Sequence, residues 1–245
     1  MEFATLEGKL VRSGGMVVKN VAGLDMGKLM IGAFGTLAGI ATLNFKLLPI
    51  PTVSRTLLIE FETLAAALAG LAAIRQAGLN PIAADVANPV FVAGLNAQFG
   101  IRNFLLAVQF GGNQAVIERS TRESTALCAA TATARTLSTE DEQRFWNSVA
   151  AVTQRHLEKF QNGVVVRIHT PLSEWGDAMA TVETSGHAMA ASGVVRAWFG
   201  RSDTASRWLT QCVQRGWNGV IETAGPGVDR SGLNLWPEPG GDFAI

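Results

Sequence analysis

The chain has 245 residues, 48% of them hydrophobic and 16% charged, with 20 Lys plus Arg against 20 Asp plus Glu. It is too apolar to stay disordered, and its balanced charge without a Lys/Arg cluster excludes a nucleic-acid face. The longest apolar runs stop short of the roughly 20 residues that cross a bilayer, and the first residues lack the basic-then-apolar order of a secretory leader, so a cytoplasmic protein is expected. Residues 5–12 read as a hairpin around Glu7-Gly8, and Asp25 can cap a helix over 26–31. Gly32 and Gly35 flank a bend into a strand over 40–48, where Ala41, Leu43, Phe45 and Leu47 alternate with Thr42, Asn44 and Lys46. That period predicts one buried face. Pro49-Ile50-Pro51 removes ladder donors and stiffens the backbone, which puts a domain boundary there, with domains over 1–52 and 53–245.

Beyond the boundary, strands alternate with helices. Strands are expected over 55–61, 81–86, 103–110, 163–169, 193–199 and 219–223, and helices over 63–77, 114–134, 138–160, 172–185 and 204–215. Thr63 stands where the second helix of the chain needs a cap, and Gly78 just past its end. Two successive β-α-β units predict an α+β fold, a ferredoxin-like α/β sandwich with helices on one sheet face and the other face free. The Gly- and Pro-rich residues 225–245 read as loosely ordered. Cys128 and Cys212 are far apart and lack metal-site spacing, so both read as buried thiols and no metal site is expected.

The segment Lys19-Asn20-Val21-Ala22-Gly23-Leu24-Asp25 is followed by Lys28-Leu29, by Gly32-Ala33-Phe34-Gly35-Thr36-Leu37 and by Lys46-Leu47-Leu48-Pro49. Glycines this dense let backbone approach a ligand. Together these fixed-spacing elements resemble the second half of the flavin-binding domain of FAD-linked oxidases of the vanillyl-alcohol oxidase (PCMH) type. The Val-Lys-Asn-Val-Ala-Gly form resembles the E-subunit family of bacterial glycolate oxidases. The family usually has Tyr where Leu24 stands and Gly where Ala38 stands. The resemblance implies the C-terminal half of a PCMH-type FAD-binding domain followed by a cap domain whose sheet sits over the flavin ring. It further implies a chain truncated at both ends, since the family's pyrophosphate loop lies upstream of the matching residues.

By that resemblance FAD is the cofactor. Lys19, Asn20, Val21, Ala22 and Gly23 form one flavin-contact segment, and Gly35, Thr36, Leu37, Ala38 and Ile40 the other. The same glycines could also serve a plain helix-to-strand turn, and Lys19 could be a solvated charge. The function implied is oxidation of glycolate to glyoxylate beside a catalytic flavin subunit and an iron-sulfur subunit, with any membrane attachment through those partners. Alternatives are a subunit acting on D-lactate or another 2-hydroxy acid, and a non-catalytic assembly subunit that does not bind FAD alone.

On the cap, alternation in Val164-Val165-Val166-Arg167-Ile168-His169 puts Arg167 and His169 on one face, where a cationic pair can bind the carboxylate of a small 2-hydroxy acid. A solvated strand edge is the other reading. Arg196 and Trp198 alternate in the same way, while His156 and His187 read as exposed. The chain has no Tyr, so a phenolic acid or base is excluded, and no residue stands out as the base.

Overall fold

The computed structural model describes residues 1–14, 25–33, 35–95, 99–182, 184–189 and 193–231. Lys19, Asn20, Val21, Ala22 and Gly23 lie outside them. The chain packs as two compact units, Met1–Ile50 and Pro51–Ile245.

The first unit contains a three-stranded antiparallel sheet ordered β2-β1-β3, built from β1 (Glu2–Ala4), β2 (Leu10–Arg12) and β3 (Gly39–Thr42). The hairpin is present, with its first strand starting earlier than expected. Gly8 closes its turn at φ +75, donating to Thr5 O at 2.9 Å. Helix α1 (Met26–Met30) starts at Asp25, whose Oδ1 accepts from Lys28 N at 3.2 Å. Phe3 and Ala38 are buried. The long strand with a buried face is not formed. Only Gly39–Thr42 is extended sheet, all four residues are exposed, and Phe45 and Leu47 are 76% and 85% exposed. Alternation creates a buried face only when another layer packs on it. Among the described residues of this unit nothing covers those side chains.

The second unit is one eight-stranded antiparallel sheet ordered β11-β8-β10-β9-β5-β6-β4-β7. Its first half contains β4 (Val53–Phe61), α2 (Leu64–Gln76), β5 (Ala83–Ala87), β6 (Phe104–Gly112), α4 (Gln114–Cys128) and β7 (Ala132–Thr136). The second half repeats the pattern with β8 (Val164–His169), α7 (Trp175–Ala180), β9 (Ser185–Met189), β10 (Val194–Phe199), α8 (Ser202–Gln214) and β11 (Asn218–Ala224). Each half runs β-α-β-β-α-β with its strands in spatial order 4-1-3-2, the ferredoxin-like arrangement. The two halves join edge to edge where β5 pairs with β9.

Two of these strands were missed by the sequence reading, which ran a helix into β7 and left β9 as the loop after another. The helix expected over 114–134 ends at Cys128, and the Thr-rich stretch after it becomes β7 on the free edge of β4. The helix expected over 172–185 is a 3-10 turn, Leu172–Glu174, then α7, and then β9. Propensity gave way to unpaired strand edges in both places. The single helix expected over 138–160 is two, α5 (Thr139–Ala150) and α6 (Val152–Lys159). Ser138 caps α5 through Asp141 N at 3.1 Å.

Helices α2, α4, α7 and α8 cover one sheet face, burying Ile59, Phe61, Val86, Val166, Val195 and Trp208 among others. Full burial of each such side chain contributes roughly 1.5–3 kcal/mol. The opposite face is not free, as expected, but partly roofed by α3 (Pro89–Gly94), α5 and α6. Phe91, Phe145 and Val152 from these helices pack on Leu58, Leu105, Ala107, Val165 and Trp198. Indole hydrogen bonds from Trp146 to Thr56 Oγ1 (2.9 Å) and from Trp198 to Thr153 Oγ1 (3.0 Å) tie the roof to the sheet. Of the stretch expected to be loose, residues 225–231 are turns that are mostly exposed, anchored where Gly225 and Gly227 donate to Gly163 O and Gln161 O and where Val228 is buried, and residues 232–245 lie outside the described residues. Among the described residues no helix is long and apolar enough to cross a membrane.

Candidate functional site

At the seam between the two ferredoxin-like halves, the roofed face leaves a cavity of about 590 Å³. Asp85, His187, Arg196 and Glu222 line it, with Trp146, Val149 and Trp198 as apolar walls. The register explains the gathering. Ala87 on β5, His187 on β9, Arg196 on β10, Arg167 on β8 and Val220 on β11 stand opposite one another in a single row across five strands. Side chains in one such row share a face.

His187 Nε2 lies 3.0 Å from Asp85 Oδ2, and both side chains are largely buried. The imidazole stacks on Phe91 with centroids 4.8 Å apart and planes 16° apart. Asn88, itself buried, holds this corner. Its Oδ1 caps α3 by accepting from Phe91 N (2.9 Å) and also accepts from Gly186 N (3.0 Å), while Nδ2 donates to Thr184 O (2.5 Å). Its backbone N–H donates to Gly186 O at 3.0 Å. One residue thereby fixes both the ring under His187 and the strand that carries it.

Arg196 donates to Glu222 from Nε at 2.7 Å and from Nη2 at 3.1 Å, a bidentate fork. Glu222 comes from β11, beyond β8, and reaches across it. A register shift between Ile221 and Thr223 makes Glu222 the extra, bulged residue, which turns its side chain onto this face. Arg167, between them on β8, has a buried Nε with no hydrogen-bond partner among the described residues. His169 follows on the same face but is exposed. Partial burial, then the Arg167 and Arg196 charges, push its imidazole below the ordinary value, with Glu222 opposing.

The face shared by Arg167 and His169 is therefore real, and Arg196 joins it as the residue directly opposite Arg167. The histidines read as exposed are not. His187 is a strand residue 6% exposed, and His156 is partly buried with Nε2 2.9 Å from Phe199 O. Sequence reasoning passed over Asp85 and Glu222 and read His187 as an exposed residue. A lone acid within the apolar run Ala83-Ala84-Asp85-Val86-Ala87 was the available signal for the first. Both cysteines are buried, and desolvation raises both thiols, Cys212 to about 12. Among the described residues no cluster of His, Cys, Asp and Glu could hold a metal ion.

In the first unit, residues 35–38 form an open turn. Gly35 has φ +75, and a Cβ built on Gly32, Gly35 or Gly39 would meet nothing within 4 Å. Thr36 turns its hydroxyl inward to Ala33 O at 2.7 Å, Ala38 is buried, and Leu37 and Ile40 are exposed. In the same unit, a cleft of about 710 Å³ is lined by Ile31, Ile40, Leu43 and Phe45 together with Lys28 and Lys46. Asp25 also lines this cleft with Oδ2 3.3 Å from Lys28 Nζ, so among its described lining residues Lys46 is the ammonium group without a carboxylate pair, beside apolar surface that suits a planar heteroaromatic group.

Comparison with known proteins gives this sheet a family. The family model described as FAD linked oxidases, C-terminal domain, matches residues 50–196, and the chain belongs to that family. It is 28% identical over 133 residues to the glycolate oxidase subunit GlcD of Bacillus subtilis (strain 168), across 52% of this chain and 28% of the relative. It is 46% identical over 50 residues to the glycolate oxidase subunit GlcE of Escherichia coli (strain K12), across 20% of this chain and 14% of the relative. The matches thus span less than a third of either relative. Among solved structures, p-cresol methylhydroxylase with substrate bound superposes with a TM-score of 0.64 at 15% identity, over 92% of this chain and 57% of that one. The 4-ethylphenol oxidase from Gulosibacter chungangensis gives 0.62 at 14%, with the same coverage. At such identities these two likenesses speak for the fold.

Proposed function

We propose that this chain is a FAD-binding subunit of a glycolate oxidase-type complex that oxidises a small 2-hydroxy acid, glycolate to glyoxylate. The observation that carries the reading is the opposed pair Arg167 and Arg196 beside the Asp85–His187 pair, because a 2-hydroxy acid brings a carboxylate for the first and a hydroxyl proton for the second. The names of the two curated relatives support the substrate and the complex. Residues 1–52 are read as part of a PCMH-type FAD-binding domain and 53–245 as the cap.

Gly35, Thr36, Leu37, Ala38 and Ile40 would hold the flavin through backbone groups, and Lys19 to Gly23 remain the second contact segment of this proposal. Bound FAD supplies the two-electron acceptor for the hydrogen on the hydroxyl-bearing carbon. The protein's own part is to fix the carboxylate on Arg167 and Arg196, and to take the hydroxyl proton at His187, oriented by Asp85 and Phe91. The catalytic flavin and iron-sulfur subunits are the partners proposed, with any membrane contact made through them.

The apolar side chains that the first unit exposes favour a second reading, an assembly subunit that binds no FAD by itself. The visible spectrum of the purified full chain separates the two: a stoichiometric flavin band refutes the second reading, and a colourless folded protein refutes independent FAD binding. Substrate oxidation is tested in the reconstituted complex. His187→Gln should lower glycolate turnover by roughly 100-fold or more, and unchanged turnover would overturn the assignment of His187.

A further inference from the structure

Arg196 already carries a carboxylate. Glu222 occupies Nε and Nη2 of the guanidinium at 2.7 and 3.1 Å, the two-point geometry through which Arg also takes a ligand carboxylate. A ligand cannot use that fork while Glu222 holds it. Three features bear on how the conflict resolves. Glu222 sits at a bulge, outside the regular ladder, so it is tied to its strand neighbours less tightly than a paired residue. The two side chains are 27% and 32% exposed, so solvent reaches the pair and can take up the Glu222 carboxylate when it leaves. The charge that Glu222 compensates is larger than that of Arg196 alone, since Arg167 stands directly opposite it. Like charges opposed on neighbouring strands repel, and Arg167 Nε is buried with no hydrogen-bond partner among the described residues.

We propose that Glu222 is an internal carboxylate ligand that competes with small monocarboxylates for Arg196, so that it sets their affinity at this cavity. Binding exchanges one carboxylate for another on the same guanidinium, and the displaced Glu222 swings toward solvent on its bulge. Glu222 thereby holds affinity down and keeps the site from saturating with simple anions. The proposal rests on the reading of Arg167 and Arg196 as the carboxylate site.

The test is calorimetric titration of sodium glycolate into the full chain, with ethylene glycol as the probe lacking a carboxylate. Glu222→Gln, which keeps the shape and removes the charge, should bind glycolate at least tenfold tighter than the parent chain. Ethylene glycol should gain nothing, and the double variant Glu222→Gln/Arg196→Gln should lose the gain. A Glu222→Gln chain with parent-like circular dichroism and equal or weaker glycolate affinity overturns the proposal. If that variant does not fold, Glu222→Ala carries the same expectation and the same refutation. The underlying site reading fails separately, if Arg196→Gln and Arg167→Gln in the parent background bind glycolate as the parent does.

Discussion

Asn88→Ala should be among the most destabilising polar truncations in the second unit. The side chain satisfies three backbone groups at once: Phe91 N–H, Gly186 N–H and Thr184 C=O. Losing the cap of α3 costs about 1 kcal/mol. Leaving two further backbone groups without partners, at a residue only 6% exposed, adds roughly 1–3 kcal/mol for each that water cannot reach. With partial relaxation the total comes to about 3 kcal/mol. The control is Asn113→Ala, where the same residue type caps α4 through Val116 N at 3.0 Å but in an exposed position, so only the cap energy of about 1 kcal/mol is at stake. Urea unfolding followed by Trp fluorescence reads the second unit, because all six Trp lie after residue 145. A loss for Asn88→Ala no larger than for Asn113→Ala would refute the reasoning that the Asn88 network fastens α3 to β9.

Gly70→Ala in α2 would place a Cβ 2.6 Å from Phe61 Cζ and 3.2 Å from Cys128 Sγ. Overpacking of about 1–3 kcal/mol should outweigh the helix-propensity gain of about 1 kcal/mol, lowering the unfolding midpoint, and Phe61→Leu in the same chain should restore part of it. A thiol reagent should leave Cys128 and Cys212 unmodified in the folded chain and label both in denaturant, since both are buried with raised thiols. Proton NMR should find His169 titrating below 6.5, and Arg196→Gln should move its midpoint upward. The folded chain holds fewer protons at His169 than the unfolded chain, so this residue lowers stability as pH falls from 6.5 through its depressed midpoint. His169→Gln should therefore flatten the acid limb of the stability profile.

Much of the cap was legible locally. The strand cores at β4, β6, β8 and β10 and the helix cap at Thr63, like the cap at Asp25 in the first unit, depend on near neighbours in the chain, and sequence carries that information directly. The two missed strands, β7 and β9, follow helix-like stretches and exist because an unpaired edge was waiting for them. The candidate site was half legible for the same reason. Alternation put Arg167 with His169 and Arg196 with Trp198, but could not say that β8 and β10 are neighbours in the register that opposes the two arginines.

The sequence by itself determined the α+β class, the element rhythm of the cap, the burial of both thiols and the glycine segments that resemble a flavin domain. Only the tertiary structure decided that two ferredoxin-like halves fuse through β5 and β9, that the second sheet face is roofed, and that Asp85, His187 and Glu222 belong beside Arg196. The physical reason is range. Caps and periodicity are properties of neighbouring residues. A cavity built from residues 85, 187, 196 and 222 depends on strand order and register, which hydrogen bonding between distant segments sets only when the sheet assembles.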